Sequence, residues 1–547
     1  MKAAEAPLPA PAGLLADVYV PTPNASWAKL QRGIGGAVGI LPASAGGIIC
    51  TAAGLDPFIA SEIDGTAPIY GVVAGDPMSP SYVIAMKLLD LRKARVVLVD
   101  GETARYSTRE AGAMTELLPK GQSERPPVAI GLSPNGYILV ARRSEDLGTL
   151  APYVTRTLPK RPLPVEGAVV FDVPRAALAS AMKPKLDEGW ASAKSFLLGE
   201  DERMRRNHGG RAPDFGDPKA IVSAVDAWVT RRIGVVGDLE KMRIAVEVIE
   251  DGLSIVSTMT PAAGGGEATK WTDGMKLGDL APIGVLPATS AAALLMRDGE
   301  EDRAEQGRAF EQAVTSALGP RLAEADAKKL HVVVDDVTKA RGEVLAGAVA
   351  WDDPQGLGLR APVRDPDAAT RAVRGGVDLL KIAPFKELLH VRDVTMSSEE
   401  LAGVGKMSLA TVAREQPKRP GAPGDRDAGA PKAPGPARNG GFGVAWSIDG
   451  GVLSLATGES PVPTLRATAH PDRKLSDEPA IARSFTALGN QASAVLIVQP
   501  LRFDATRANL PAAPLLFALG RKDKDATLRI DIANGLLREL ARRQMGL

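Results

Sequence analysis

The chain has 547 residues, with 66 Lys and Arg set against 65 Asp and Glu. That balance leaves no global field to gather nucleic acid or an anionic membrane, and 4% aromatic residues are few for a base- or sugar-stacking surface. A single cysteine, Cys50, excludes an intrachain disulfide framework and a cysteine-based zinc site.

The length exceeds what one hydrophobic core supports, so two lobes or more are predicted. Residues 1–15 form a Pro/Ala-rich arm, expected to be mobile. The opening has no apolar signal-peptide core, yet Ala4-Glu5-Ala6-Pro7 is similar to the surroundings of a signal-peptidase cut. A periplasmic or envelope location is therefore expected if the start is truncated, and a cytoplasmic one if it is genuine.

Val18-Tyr19-Val20 reads as a strand, and Asn24 as the N-cap of a helix through Trp27 and Leu30. Residues 33–55 hold no charge, but seven glycines and Pro42 interrupt any spanning helix, so no transmembrane segment is predicted. A buried helical hairpin or loop is the first reading there, and a lipid-facing or partner-facing surface the second. Asp56-Pro57 starts a helix through Phe58 and Ile63. Residues 68–74 read as a strand, and 82–91 as a helix that places Val83, Met86, Leu88 and Leu91 on one face.

Residues 127–145 form the unit that recurs: two apolar runs joined across Asn135-Gly136. Asn-Gly there predicts a hairpin with a type I′ turn, which needs positive φ at both central residues. The arrangement repeats around Asp251-Gly252 and Asp449-Gly450, with looser copies at 97–106 around Asp100-Gly101 and at 344–363. A helix is expected at 145–158, then an edge or lobe-closing strand at 169–172. The next helix, 174–198, turns Leu178, Met182 and Leu186 inward. The charged, Gly-rich stretch 199–213 reads as a solvated loop, with an anion site as its sharper alternative. Asp217-Pro218 caps a helix carrying Ile221, Val225 and Trp228.

Residues 264–266 form a flexible break. The stretch 283–290 is similar to 38–45, which raises an internal duplication. Helices are predicted at 302–318, through Ala309, Phe310, Val314 and Leu318, and at 365–380. Residues 416–440 lack any large apolar side chain and cannot offset the entropy of ordering, so they read as a disordered linker. A helix at 481–488, a strand at 494–499, a hairpin at 515–532 turning at 522–525, and a helix at 536–543 complete the chain. The domains follow: a 1–15 arm, a 16–265 lobe, a 266–415 plus 441–547 lobe, and the 416–440 linker. Each lobe is expected to be α+β, an antiparallel sheet of hairpins with helices packed on one face.

The search for chemistry returns no reaction centre. The four histidines are far apart in sequence, and on a strand His331 and Asp335 would stand about 13 Å apart, too far to ligate one ion. Ser180-Ala-Met-Lys183 matches a Ser-x-x-Lys pair but lacks its usual partner motifs. Gly403-Val-Gly-Lys-Met-Ser408 fails as a phosphate loop at Met407. Gly131 to Gly136 is no nucleophile elbow, since its serine lies within a hairpin. The pairs at 335–336, 352–353 and 425–427 read as solvated turn carboxylates. No catalytic, cofactor-binding or metal residue is assigned, no cofactor is expected, and the binding residues are left open.

The repeated Asp-Gly hairpins, the Ala/Pro-rich opening and the Pro/Gly linker resemble the layout of uncharacterised two-lobed envelope proteins of high-GC bacteria. That group has no agreed activity, so the resemblance carries over no functional residue. The expected function is non-catalytic: a binding or scaffold protein of the cell envelope. It would hold an apolar ligand or a protein partner in a groove between sheet and helices, with 33–55 as the candidate surface. The alternatives are a hydrolase with a spatially assembled site and a cytoplasmic assembly subunit.

Overall fold

A computed structural model describes residues 6–34, 42–54, 57–102, 104–120, 128–207, 218–351, 355–414, 441–503 and 511–545. The expected linker at 416–440, the turn residues 352–353, Asp56, Asp217, residues 208–213 and the first half of 38–45 lie outside them. The chain divides into one unit of Met1–Ala191, Thr230–Gly274 and Ala513–Leu547, and another of Ser192–Val229 and Met275–Ala512. This differs from lobes at 16–265 and at 266–415 plus 441–547. The last strands, Leu515–Lys522 and Asp525–Ala533, join the first unit because Asp525–Ala533 pairs with strand Gly252–Pro261 there from Gly252 to Met259.

The first unit is built on strands β1 (Leu14–Val20), β2 (Ile69–Ala74), β3 (Ser81–Lys87), β4 (Tyr106–Ala111), β5 (Met114–Pro119), β6 (Ala129–Ser133), β7 (Tyr137–Ala141), β8 (Val169–Pro174), β9 (Leu239–Ile249) and β10 (Gly252–Pro261). Their order is β4-β5-β6-β7-β3-β2-β1-β8-β9-β10, followed by Asp525–Ala533 and Leu515–Lys522, and every pairing is antiparallel. Helices Ser144–Thr149 and Ala151–Arg156 cover one face, burying Leu147, Leu150, Tyr153 and Val154 against Tyr19, Val72 and Val83. Helical segments at Ala45–Ala52, Pro57–Glu62 and Leu91–Arg95 lie over part of the other face.

The second unit orders Ala494–Val498, Ala292–Arg297, Val344–Ala350, Gly356–Pro362, Val452–Gly458, Phe442–Asp449, Gly405–Arg414 and Val391–Leu401, again all antiparallel. Helices Glu300–Leu318, Glu324–Ala340 and Pro366–Leu379 belong to it, the last capped by the Asp365 carboxylate. The α+β class with antiparallel hairpin sheets is thus the architecture of both units.

The three principal hairpins form, each with its own turn. Ser133 pairs with Tyr137, so Pro134, Asn135 and Gly136 make a three-residue loop in which Gly136 alone has positive φ, at 79°. Ile249 pairs with Gly252, which centres the second turn on Glu250-Asp251. The type I′ condition is met only at Gly450-Gly451, at φ 53° and 75° between paired Asp449 and Val452. The pair of strands at 344–350 and 356–362 also forms.

Other expectations are corrected. Residues 82–87 are strand β3: apolar side chains occupy both of its faces, and an apolar run without alternation reads equally well as either element. Asp100-Gly101 is no hairpin turn, because Val96–Asp100 winds as a π-helix closed by Gly101 N–H donating to Val96 O at 2.8 Å. Strand β8 is interior, between β1 and β9. The helix following β8 runs to Asn207, through the expected loop at 199–207, and Leu186 on it is exposed. Val225, Trp228 and Phe310 are likewise exposed. Asn24 sits inside helix Pro23–Ile34 rather than capping it. The arm is docked from Ala6 onward: Leu8 N–H donates to Thr157 Oγ1 at 2.8 Å, and that hydroxyl donates back to Leu8 O.

Candidate functional site

The register of the first unit lines up one row of side chains across five strands. Phe171 of β8 stands opposite Val18 of β1, Val18 opposite Gly71 of β2, Gly71 opposite Ile84 of β3, and Ile84 opposite Val140 of β7. Opposed residues of a sheet share a face, so this row is apolar from end to end with a gap at its centre. Gly71 makes the gap: a Cβ there would stand 3.2 Å from Val18 Cβ. The floor dips where the side chain is missing.

The wall comes from the described part, 42–54, of the uncharged 33–55 stretch. Ser44 caps helix Ala45–Ala52 by accepting from Gly47 N–H at 3.0 Å, and Asn24 Oδ1 accepts from Ala45 N–H at 3.2 Å. Trp27 Nε1 donates to Pro42 O at 2.8 Å, which fixes the lead-in. So held, the helix presents Ile48, Ile49 and Ala52 toward the strand row. Between wall and floor lies an open groove of about 570 Å³ in which every lining residue is uncharged. Cys50, buried behind the wall, has its thiol pushed up to about 11 by burial, so it is an apolar packing group rather than a nucleophile.

The groove changes character at one end. Tyr82 lines it, and Arg142, one residue past β7, donates its backbone N–H to Tyr82 O at 3.1 Å and Nη1 to Pro80 O at 2.6 Å. A guanidinium and a phenol thus stand next to an otherwise apolar trough.

Beneath the floor, on the opposite face, a polar network fixes the sheet to its helices. Tyr153 Oη donates to Asp17 Oδ1 at 3.0 Å, and Arg161 Nη1 donates to Asp17 Oδ2 at 2.6 Å while its guanidinium lies over the Tyr153 ring. Burial raises the Asp17 carboxyl above its ordinary value, with Arg161 and the Tyr153 hydroxyl opposing, and burial raises the Tyr153 phenol. On the neighbouring strands Arg243 clasps Asp172 through two hydrogen bonds, at 2.6 and 2.9 Å. Every one of these groups has a partner, which marks a structural clamp.

The residues singled out for chemistry do not converge. Ser180 is exposed, and Lys183 pairs with Asp187 at 2.7 Å. His331 and Asp335 lie on helix Glu324–Ala340, not on a strand; of the three valines between them, Val333 and Val334 pack into the helical core and Val332 is exposed. There His331 meets Glu311 at 3.0 Å, and Asp335 pairs with Lys339. Asp336 is a helical residue paired with Arg371 at 3.0 Å, not a turn carboxylate. The 403–408 stretch is the turn and opening of a hairpin strand, with Gly403 and Gly405 at positive φ. Among the described residues no group of three or more metal-binding side chains comes together, and no helix is long and apolar enough to cross a membrane.

Sequence reading singled out the 33–55 stretch, four residues of which line this groove, and gave no sign of the floor. Gly71 carried no signal, because only strand pairing reveals that it opens a hole between Val18 and Ile84.

No protein-family description matches the chain, and no curated protein does. Solved structures give alignments to TP0453. Its crystal form III is 11% identical over 48% of this chain and 97% of that one, with a TM-score of 0.21. Crystal form I is 14% identical over 48% and 84%, at 0.20, and crystal form IV 12% identical over 50% and 99%, at 0.21. TM-scores at this level carry no inference about fold or function.

Proposed function

We propose that the protein is a non-catalytic carrier of the cell envelope that holds the chain of an apolar or amphiphilic ligand along the β8-β1-β2-β3-β7 row. The observation that carries this reading is the uncharged groove of about 570 Å³. It falls within the ~300–1,000 Å³ range of small-molecule sites, which are apolar with a few polar groups fixing orientation. A hydrocarbon chain gains about 25 cal/mol for each Å² taken out of water, and Val, Ile and Phe side chains offer it nothing else. Tyr82 and Arg142 at one end suit an anionic or hydrogen-bonding head.

Gentle purification followed by lipid mass spectrometry tests the proposal, together with saturable uptake of a fluorescent fatty acid. The wild type should retain or bind one chain per protein. Gly71→Val, which fills the floor, and Ala52→Phe, which narrows the wall from its exposed side, should each lower affinity at least about tenfold while the circular dichroism spectrum is kept. If the wild type neither retains lipid nor takes up the probe, the carrier reading is wrong. Subcellular fractionation checks the envelope placement separately.

A further inference from the structure

In the second unit, Arg303 lies in the first turns of helix Glu300–Leu318 and is only 3% exposed. Its Nη1 donates to the carbonyl oxygen of Asp298 at 2.6 Å, whereas Nε and Nη2 are buried without a protein partner. Those two nitrogens form one edge of the planar guanidinium, and their N–H bonds run parallel. That edge is the fork that grips both oxygens of a carboxylate or phosphate. Buried donors in native proteins are almost always satisfied, and an unsatisfied charged one is costly.

The charge count points the same way. Arg341 donates through Nη2 to the Asp298 carboxylate and keeps its own Nε buried and unpartnered. Arg364 is taken up by Glu300 at 2.8 Å, in a pair exposed on both sides. One buried guanidinium, Arg303, and one half-buried one, Arg341, therefore share the single Asp298 carboxylate, and a positive charge is left over. Burial, then Arg364, then Arg341 press the Arg303 guanidinium below its usual range, against the weaker opposing pull of Glu300 and Asp298. A water molecule would satisfy the fork but leave the charge, whereas an oxyanion answers both.

We propose that Arg303 is the core of an oxyanion site, gripping a carboxylate or phosphate group side-on through Nε and Nη2, with Arg341 Nε as the next free donor. The site is independent of the groove in the first unit, so the two proposals stand or fall apart.

Isothermal titration of the full chain with inorganic phosphate and with acetate, at constant ionic strength made up with chloride, tests it. The wild type should bind at least one of the two saturably, and which one binds separates phosphate from carboxylate as the natural group. Arg303→Lys keeps the charge but loses the fork, and should bind at least about tenfold more weakly. Arg303→Met should abolish binding, and if it fails to fold, the lysine variant decides. No saturable heat beyond the chloride control in the wild type would mean that only water fills the fork and would overturn the proposal. Undiminished binding by Arg303→Lys would do the same.

Discussion

A Cβ added to Gly252 would stand 1.9 Å from the carbonyl oxygen of Ile532, on the backbone of the neighbouring strand. Backbone cannot rotate away as a side-chain tip can, so Gly252→Ala must push β10 and Asp525–Ala533 apart at the first pair of their ladder. Gly189, on the exposed flank of helix Lys183–Asn207, has nothing within 4 Å of such a Cβ. There the same change removes only the entropic cost of glycine in a helix. Gly252→Ala should destabilise by about 3 kcal/mol, at the upper end of overpacking costs, and Gly189→Ala should stabilise by about 0.5–1 kcal/mol. Urea midpoints measure both, and equal shifts of the same sign would refute the distinction. At this scale the sequence marks a reversal at Asp251-Gly252, one residue past its actual centre at Glu250-Asp251. It does not show that the glycine is needed for close approach, because Ile532 is brought alongside only by tertiary pairing.

The helices Ser144–Thr149 and Ala151–Arg156 are tied to the sheet through Asp17, whose carboxyl is raised above 3.8 by burial against the opposing pull of Arg161 and Tyr153. A raised folded-state value means that the folded protein binds this proton more tightly than the unfolded chain does. Its contribution to stability is fully present below the unfolded value and is lost as pH rises through the folded one. Asp17→Asn keeps an acceptor for the Tyr153 hydroxyl and removes the titration. The variant should therefore gain stability relative to the wild type as pH is raised from about 3 to about 7. Denaturation at several pH values checks the slope, and a relative gain by the wild type would contradict it. Elements were legible where one period dominates: helix Pro366–Leu379 and the hairpin turning at 522–525 follow directly from capping and turn chemistry. They were obscured where apolar side chains occupy both faces, as in β3, or where three valines suggested a strand in what is helix Glu324–Ala340. There packing overrides local preference.

Over the whole chain, the C-terminal residues 513–547 belong with a unit that begins at the N-terminus, a closure that no local pattern announces. Strand Asp525–Ala533 pairs with β10 from Gly252↔Ala533 to Met259↔Ala526, and Leu516, Ala518 and Ala526 are buried with it. Removing residues 513–547 would leave the outer edge of β10 without hydrogen-bond partners and uncover that apolar surface. Burial of one leucine side chain contributes about 1.5–3 kcal/mol, so the first unit should lose at least about 3 kcal/mol. Hydrogen exchange localises the effect: in a chain ending at Ala512, β10 amides from Ser254 to Met259 should exchange faster, because those facing Asp525–Ala533 have lost their acceptors. Amides of Ala292–Arg297 and Val344–Ala350, in the other unit, should keep their protection. Unchanged protection across β10 would show that the terminal strands are not part of the first unit's cooperative structure. Accelerated exchange spread evenly through both units would show that the division between them is not a division of stability.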